Sequence, residues 1–293
     1  MPARCLDGNA IAAEIRAEVA RDAASLLDNG CPVKLAAVLV GSDEASRLYA
    51  ESQRKLCGSV GFAYELVELP ADVSQDDLHA TIDRLNADAS ITGIILQLPL
   101  PAPLDTALAQ WRIDPYKDVE GVNPANIGLL FYGEPLIQPC TALAVLEMVR
   151  RSGAVLRGAR AVVVGQSTIV GRPVTMALLA RMATVTGCHI ATRDLAEHTR
   201  QAEILVVAVG KPRLVGAELV RPGAVVIDVG INRVVQRDAG GREVKRTVGD
   251  VDFDSVSAVA GTITPVPGGV GPVTVAMLLR NTIEAARKQR QRR

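Results

Sequence analysis

The chain has 293 residues, of which 48% are hydrophobic and 22% charged, and its 32 basic residues balance its 32 acidic ones. That length buries one large core or two ordinary ones, and the balanced charge leaves no overall field to draw nucleic acid or an anionic membrane. Aromatics at 3% exclude extended stacking platforms, five cysteines without a C-x-x-C pair fit reduced thiols, and no apolar run approaches the ~20 residues that span a bilayer.

The N-terminal stretch MPARCLDGNAIAAEIRAEVA lacks the apolar core of a signal peptide, so a cytoplasmic location is expected. Residues 9–28 carry helical spacing and stop near Asn29-Gly30. KLAAVLV (34–40) reads as a strand closed by Gly41. A helix over 42–57 follows, with Ser42, Asp43 and Glu44 as its capped, acidic start. A strand over 61–69, a helix over 74–87 with Ser74 as N-cap, and a strand over 92–98 complete an α/β pattern with parallel pairing. Pro99, Pro101 and Pro103 then end the regular pattern at a strand's C-terminal end, where α/β folds place ligands. A polar stretch over 113–121 and an irregular region up to Pro139 lead to a helix over 140–151, where the domain junction is expected.

The second half is organised around ARAVVVGQSTIVGRP (159–173). Ala161 to Val164 form a short apolar strand, Gly165 breaks it, and a helix begins near Val170 with Pro173 in its first turn. Strand, Gly-rich turn and helix is how a dinucleotide pyrophosphate is held, on backbone N–H groups and the helix dipole. Here Ser167 stands for the usual second glycine and the turn is one residue longer, so an ordinary βα turn is the competing reading. Strands over 184–190, 204–209, 224–229 and 261–265, with a short helix over 195–202, extend this to a Rossmann-like parallel sheet. Gly240-Gly241 marks an exposed turn, and an amphipathic helix runs over 272–288 with basic residues at its end.

The second strand of that sheet carries no carboxylate at its immediate end, CHIATRD (188–194), whereas Thr192 and Arg193 can receive a 2′-phosphate. This favours NADP, with NAD as the alternative; otherwise Arg193 is a solvated loop charge. Three scattered histidines assign no metal, and His189 reads equally as a structural residue or a ligand. The run ITPVPGGVGPVT (263–274) is more specific, because a structural turn does not need so many special residues.

That run, with GQSTIVGRP, VVIDVGIN (225–232), VGD (248–250), ILQLPLP (95–101) and KDVEG (117–121), resembles the methylenetetrahydrofolate dehydrogenase/methenyltetrahydrofolate cyclohydrolase family, in order from about Gly8 to Ala285. The resemblance implies a two-domain α/β subunit. An N-terminal catalytic domain spans 1–139 and is completed by the last helix, 272–293; a Rossmann-like NAD(P)-binding domain with a parallel sheet spans 140–271. It further implies a homodimer, tetrahydrofolate derivatives as partners in a cleft between the domains, and no nucleic-acid or membrane partner.

Carried over residue by residue, the resemblance makes Tyr49, Gln53, Gln97 and Asp118 the catalytic set. Tyr49, Leu98, Pro99, Glu120, Pro265, Gly268 and Gly269 are the expected substrate contacts. The cofactor set is Gly165, Gln166, Ser167, Ile169, Val170, Gly171, Arg172, Ile190, Thr192, Arg193, Val209, Gly210, Gly230 and Ile231. Three positions depart from the family pattern. Gln53 stands where the family has its catalytic lysine, one helical turn after Tyr49. Lys55 does not replace it, lying roughly 120° from Tyr49 around the helix. Glu120 stands for an aspartate, and Ile190 for a polar residue near the 2′-phosphate. Glutamine takes and gives no proton near neutral pH, so the expected activity is oxidation of methylenetetrahydrofolate with an impaired cyclohydrolase step. The alternatives are a fully bifunctional enzyme and, from a different class, a folate- or nucleotide-binding protein without turnover.

Overall fold

The structure, a computed structural model, describes residues 2–41, 44–237 and 243–292, with the backbone alone for 44–46, 49, 236 and 237. Ser42, Asp43 and the Gly240-Gly241 turn lie outside the described residues. In chain order the first elements are β1 (Arg4–Cys5), α1 (Gly8–Asp28), β2 (Lys34–Val40), α2 (Glu44–Ser59), β3 (Ala63–Leu69), α3 (Gln75–Ala87) and β4 (Gly93–Leu96). Two short helices, α4 (Thr106–Arg112) and α5 (Pro124–Tyr132), precede α6 (Cys140–Ser152). Then come β5 (Arg160–Val164), α7 (Gly171–Leu179), β6 (Thr184–Cys188), α8 (Leu195–Thr199), β7 (Ile204–Val207) and β8 (Val225–Asp228). The chain ends with β9 (Asn232–Arg237), β10 (Glu243–Val248), α9 (Phe253–Ser257), β11 (Thr262–Ile263) and α10 (Val270–Arg292).

The chain divides into two compact units. One, here the N-terminal unit, is Ala13–Cys140 with Ala276–Arg293; the other, the Rossmann-like unit, is Met1–Ala12 with Thr141–Val275. The first twelve residues, read in the sequence as part of the N-terminal domain, thus group with the Rossmann-like unit. The reason is β1, which pairs in parallel with β11.

In the N-terminal unit three parallel strands lie in the order β3-β2-β4. β2 and β4 are apolar on both faces because helices cover both, which is why each reads as an unbroken apolar run. Chain order reverses between β2 and β4, so the carboxyl ends of those strands form a topological switch point, and Gln97 follows β4 there. The last helix completes this unit. Asn281 Nδ2 donates to Val119 O and Gln138 O, both at 2.8 Å, and Gln289 Nε2 donates to Thr92 O at 2.7 Å and Tyr116 O at 2.9 Å.

The Rossmann-like unit holds a six-stranded, all-parallel sheet in the order β1-β11-β8-β7-β5-β6. Its switch point lies between β5 and β7. A two-stranded antiparallel ribbon, β9 and β10, stands apart from this sheet, where the sequence shows only the turn between the two strands. Among the described residues no helix is long and apolar enough to cross a membrane, and no group of three or more His, Cys, Asp or Glu residues could hold a metal ion.

Candidate active site

At the switch point of the N-terminal unit three side chains meet, and a fourth approaches the backbone next to them. Gln53, from α2, is 7% exposed, and its Oε1 accepts from Gln97 Nε2 at 2.6 Å and from the Tyr64 hydroxyl at 3.3 Å. Two donors on one amide oxygen fix the orientation of Gln53 and leave its own N–H₂ as the group on offer. Tyr49 lies one turn earlier in the same helix, and its side chain is outside those described. The fourth side chain is Glu120. The loop carrying it runs beside β4, where Ile94 N–H donates to Lys117 O at 2.8 Å. The Glu120 carboxylate accepts from the N–H of Leu96, the residue before Gln97. Burial, and next the charge of Asp118, push the half-buried Glu120 up to about 7. Leu98 and Pro99 follow, exposed, through a cis peptide bond.

Asp118 does different work. It is 1% exposed, and its carboxylate accepts from Gly121 N–H at 3.0 Å, Asn123 N–H at 2.8 Å and Asn126 Nδ2 at 2.8 Å. Burial raises its pKa despite these bonds. Such a carboxylate holds a loop in shape and presents no free oxygen pair for proton exchange. Lys117 is likewise consumed: its ammonium donates to Leu85 O, Asn86 O and Asp88 O at 2.9, 2.7 and 2.7 Å, capping the C-terminus of α3. Sequence reading missed Tyr64, which lies in no motif, and the capping role of Lys117.

The switch point of the Rossmann-like unit is built from Gly165 and the segment after β7. A side chain at Gly165, with φ +98°, would stand 2.0 Å from Ala208 O, and one at Gly171 would stand 1.9 Å from Gly165 O. Only glycine lets the turn close this tightly on β7 and on α7. Ser167 Oγ accepts from Val170 N–H at 3.2 Å and Gly171 N–H at 3.4 Å, so serine braces the turn that leads into α7 where the sequence lacks a second glycine. Gln166 is turned inward onto Val163 O at 3.1 Å and Thr175, while Arg172 is exposed. Three large apolar side chains stand in solvent on these loops: Ile169 at 57%, Ile190 at 92% and Ile231 at 68% exposure.

Thr192 Oγ1 accepts from His189 N–H at 2.8 Å, and Arg193 is exposed beside it. The nearest acid, Asp194, is occupied as the N-cap of α8, accepting from Glu197 N–H at 3.3 Å. It is therefore not a free carboxylate for two ribose hydroxyls. Val209 N–H and Gly210 N–H are fixed by Asp250 Oδ2 at 2.6 and 2.9 Å. Asp250 N–H and Gly230 N–H are in turn fixed by the Asp228 carboxylate at 3.0 and 2.9 Å. Burial raises Asp228 to about 6. The IDVGIN and VGD motifs thus shape the loops at the strand ends. Beside them is a cavity of about 390 Å³, lined by Asn9, Gly230, Ile231, Pro265, Gly268 and Gly269 among others. The close-packed glycines, the exposed isoleucines and the lack of a free acid after β6 fit a dinucleotide with a 2′-phosphate.

Two family models cover most of the chain: tetrahydrofolate dehydrogenase/cyclohydrolase, catalytic domain, over residues 6–120, and the NAD(P)-binding domain of the same name over 139–290. The chain belongs to this family. As a member it is a tetrahydrofolate dehydrogenase with an NAD(P)-binding domain. It is 52% identical over 288 residues to the bifunctional protein FolD of Bordetella avium, covering 98% of this chain and 99% of that one. It is 51% identical, over 98% of this chain and all of the relative, to the bifunctional protein FolD of Moorella thermoacetica. Among solved structures it is similar to the Trypanosoma brucei N5,N10-methylenetetrahydrofolate dehydrogenase-cyclohydrolase complexed with NADP cofactor and inhibitor. That likeness has a TM-score of 0.90, 41% identity and 99% coverage of both chains.

Proposed function

We propose that the protein oxidises 5,10-methylenetetrahydrofolate to 5,10-methenyltetrahydrofolate with NADP and hydrolyses that product only slowly. The observation that carries this reading is Gln53, held by Gln97 and Tyr64 at the position where the family has its catalytic lysine. Held by the Rossmann-like unit, the nicotinamide would supply the hydride acceptor for the one-carbon bridge. Turn 165–172, with Val209, Gly210, Gly230 and Ile231, would hold the dinucleotide, and Thr192 and Arg193 its 2′-phosphate; Ile190 adds only apolar surface there. Tyr49, Leu98, Pro99 and Glu120 would hold the folate around its pterin and one-carbon bridge, and Pro265, Gly268 and Gly269 are further expected contacts. Asp118 acts through the 118–126 loop and so positions Glu120.

Oxidation needs alignment and exclusion of water, which the Gln53–Gln97 pair and the fixed loops supply. Hydrolysis adds water to the methenyl carbon, releases a proton and opens the carbon–N5 bond, so it needs a proton carrier. An amide does not carry protons, and general acid–base groups contribute about 10²–10⁴-fold. A second reading, a fully bifunctional enzyme, is favoured by the relatives' names and by Glu120, whose carboxyl titrates at about 7 close to Gln97. The proposal also includes a homodimer, carried by resemblance, working in the cytoplasm, as the unpaired cysteines and the N-terminal stretch imply.

The test is an absorbance time course with methylenetetrahydrofolate and either NADP or NAD. Reduced NADP together with a persisting methenyl band is expected. In the Gln53→Lys variant that band should decay about 10²-fold faster or more. Rapid decay in the parent, unchanged by this substitution, refutes the proposal and favours the bifunctional reading.

A further inference from the structure

The charges around Gln53 point one way. Gln53, Gln97 and Tyr64 are joined through neutral groups. The ionisable groups next along are the Glu120 carboxylate, which accepts from the N–H of Leu96 just before Gln97, and Asp118, whose charge acts on it. Lys117, the cation in the same loop, spends its ammonium on three carbonyls at the end of α3. On α2, Arg54 and Lys55 are exposed, roughly 100° and 200° around the helix from the buried Gln53. From α6, Cys140 lies against both carboxylates, and burial raises its thiol well above its ordinary value, so it stays uncharged. From α10 the facing group is the neutral amide of Asn281, bonded to Val119 O, Gln138 O and Cys140. Two buried acceptors, Asn126 Oδ1 and Gln138 Oε1, have no protein partner. Among the described residues, these neighbours of Gln97 and Glu120 are thus carboxylates and uncharged groups, apart from Lys117 with its ammonium held at α3.

We propose that this site discriminates folates by charge, binding the cationic methenyl form in preference to neutral reduced folates, with Gln53 and Glu120 as the specificity-determining pair. The inference rests on the folate reading above and adds a selection to it. The methylene and formyl forms share the pterin and glutamate parts with the methenyl form and differ at the one-carbon bridge, where the cation sits. A neutral Gln53 leaves that cation unopposed, and ionised Glu120 attracts it. One unit charge at about 6 Å in a medium of effective dielectric constant about 20 changes affinity by tenfold or more.

Binding without nucleotide tests this apart from turnover. Methenyltetrahydrofolate and neutral 5-formyltetrahydrofolate are titrated by rapid mixing, on the acid and alkaline sides of the Glu120 midpoint. The expected parent result is at least about tenfold tighter binding of the methenyl form on the alkaline side, shrinking as Glu120 protonates. Gln53→Lys should remove the preference by weakening the methenyl form alone. Glu120→Gln, nearly isosteric, should flatten its pH dependence; Gln53→Met, which adds no charge, should retain the preference. Equal affinity for the two folates, or a preference that neither charge-changing substitution moves, overturns the inference and leaves the folate reading standing. Failure of both folates to bind overturns both together.

Discussion

Lys117 opens the KDVEG motif, where a reactive lysine would be easy to imagine, yet its geometry is that of a helix cap. The ammonium donates three bonds to carbonyl oxygens at the end of α3, and the residue is 7% exposed. Lys117→Met keeps the stem and deletes the donors. Each carbonyl then loses a bond whose net worth is about 1 kcal/mol. The C-terminal end of the helix dipole also loses its cation, about 0.5 kcal/mol. The expected loss is therefore about 3–4 kcal/mol, a large share of the 5–15 kcal/mol that typically holds a domain folded. With a urea slope of about 2 kcal/mol/M, the transition of the N-terminal unit should move down by about 1.5–2 M. Circular dichroism during urea titration measures this. The dehydrogenase kcat and the KM for folate, taken well below the transition, should stay within about twofold. A midpoint shift worth less than about 1 kcal/mol, or a large loss of kcat in the folded variant, would refute the capping argument.

Arg193→Ala should raise the KM for NADP about tenfold while leaving that for NAD unchanged, because only NADP has a 2′-phosphate for the guanidinium to meet; equal changes for both cofactors would remove Arg193 from that role. Asp250→Ala frees the N–H groups of Val209 and Gly210 and the amide of Asn232, so it should cost about 3 kcal/mol in thermal or urea unfolding and also weaken NADP binding. Glu120 has a folded pKa of about 7, raised from 4.5, so the native state holds its proton more tightly than the unfolded chain does. Its contribution is therefore fully present below the unfolded pKa and is lost as pH rises through about 7. Relative to the parent, Glu120→Gln should gain stability across that window, on the order of 2 kcal/mol by urea titration at several pH values; a flat difference would contradict the buried-carboxylate argument.

The regular parts of the fold are legible because their physics is local. Lys34–Val40 and Arg160–Val164 are buried on both faces, and an unbroken apolar run is the signature of that environment. Ser74 accepts from Asp77 N–H at 3.1 Å, as the sequence of α3 implies. What the sequence hides is what depends on distant partners. In α4, Leu108 and Trp111 are 46% and 55% exposed, so no apolar stripe announces the helix. Pro124 looks like a breaker but occupies the first turn of α5, behind an Asn123 cap, and Phe131 and Tyr132 face solvent against the usual pattern. β1 has two residues and exists because β11 offers an edge. At the site, the sequence shows Glu120 as one methylene too many; only the fold shows that its carboxylate meets Leu96 N–H.

Dehydrogenation and hydrolysis ask different things of one pocket, and on the proposed reading this one serves the first better. Gln53 is not loosely placed: two donors converge on its oxygen, so it orients its neighbours while offering no proton that titrates near neutral pH. The oxidised product differs from the substrate by one positive charge, and on the proposed reading the nearby Glu120 carboxylate stabilises charge both as it develops and after it has formed. Stabilisation shared by transition state and product speeds the chemical step but slows product departure. On the proposed reading, then, turnover is limited by release of the methenyl cation. The cation is then consumed either by a separate hydrolase or by reduction back through the same site. A pre-steady-state burst of reduced NADP, followed by slower turnover, is what that balance requires.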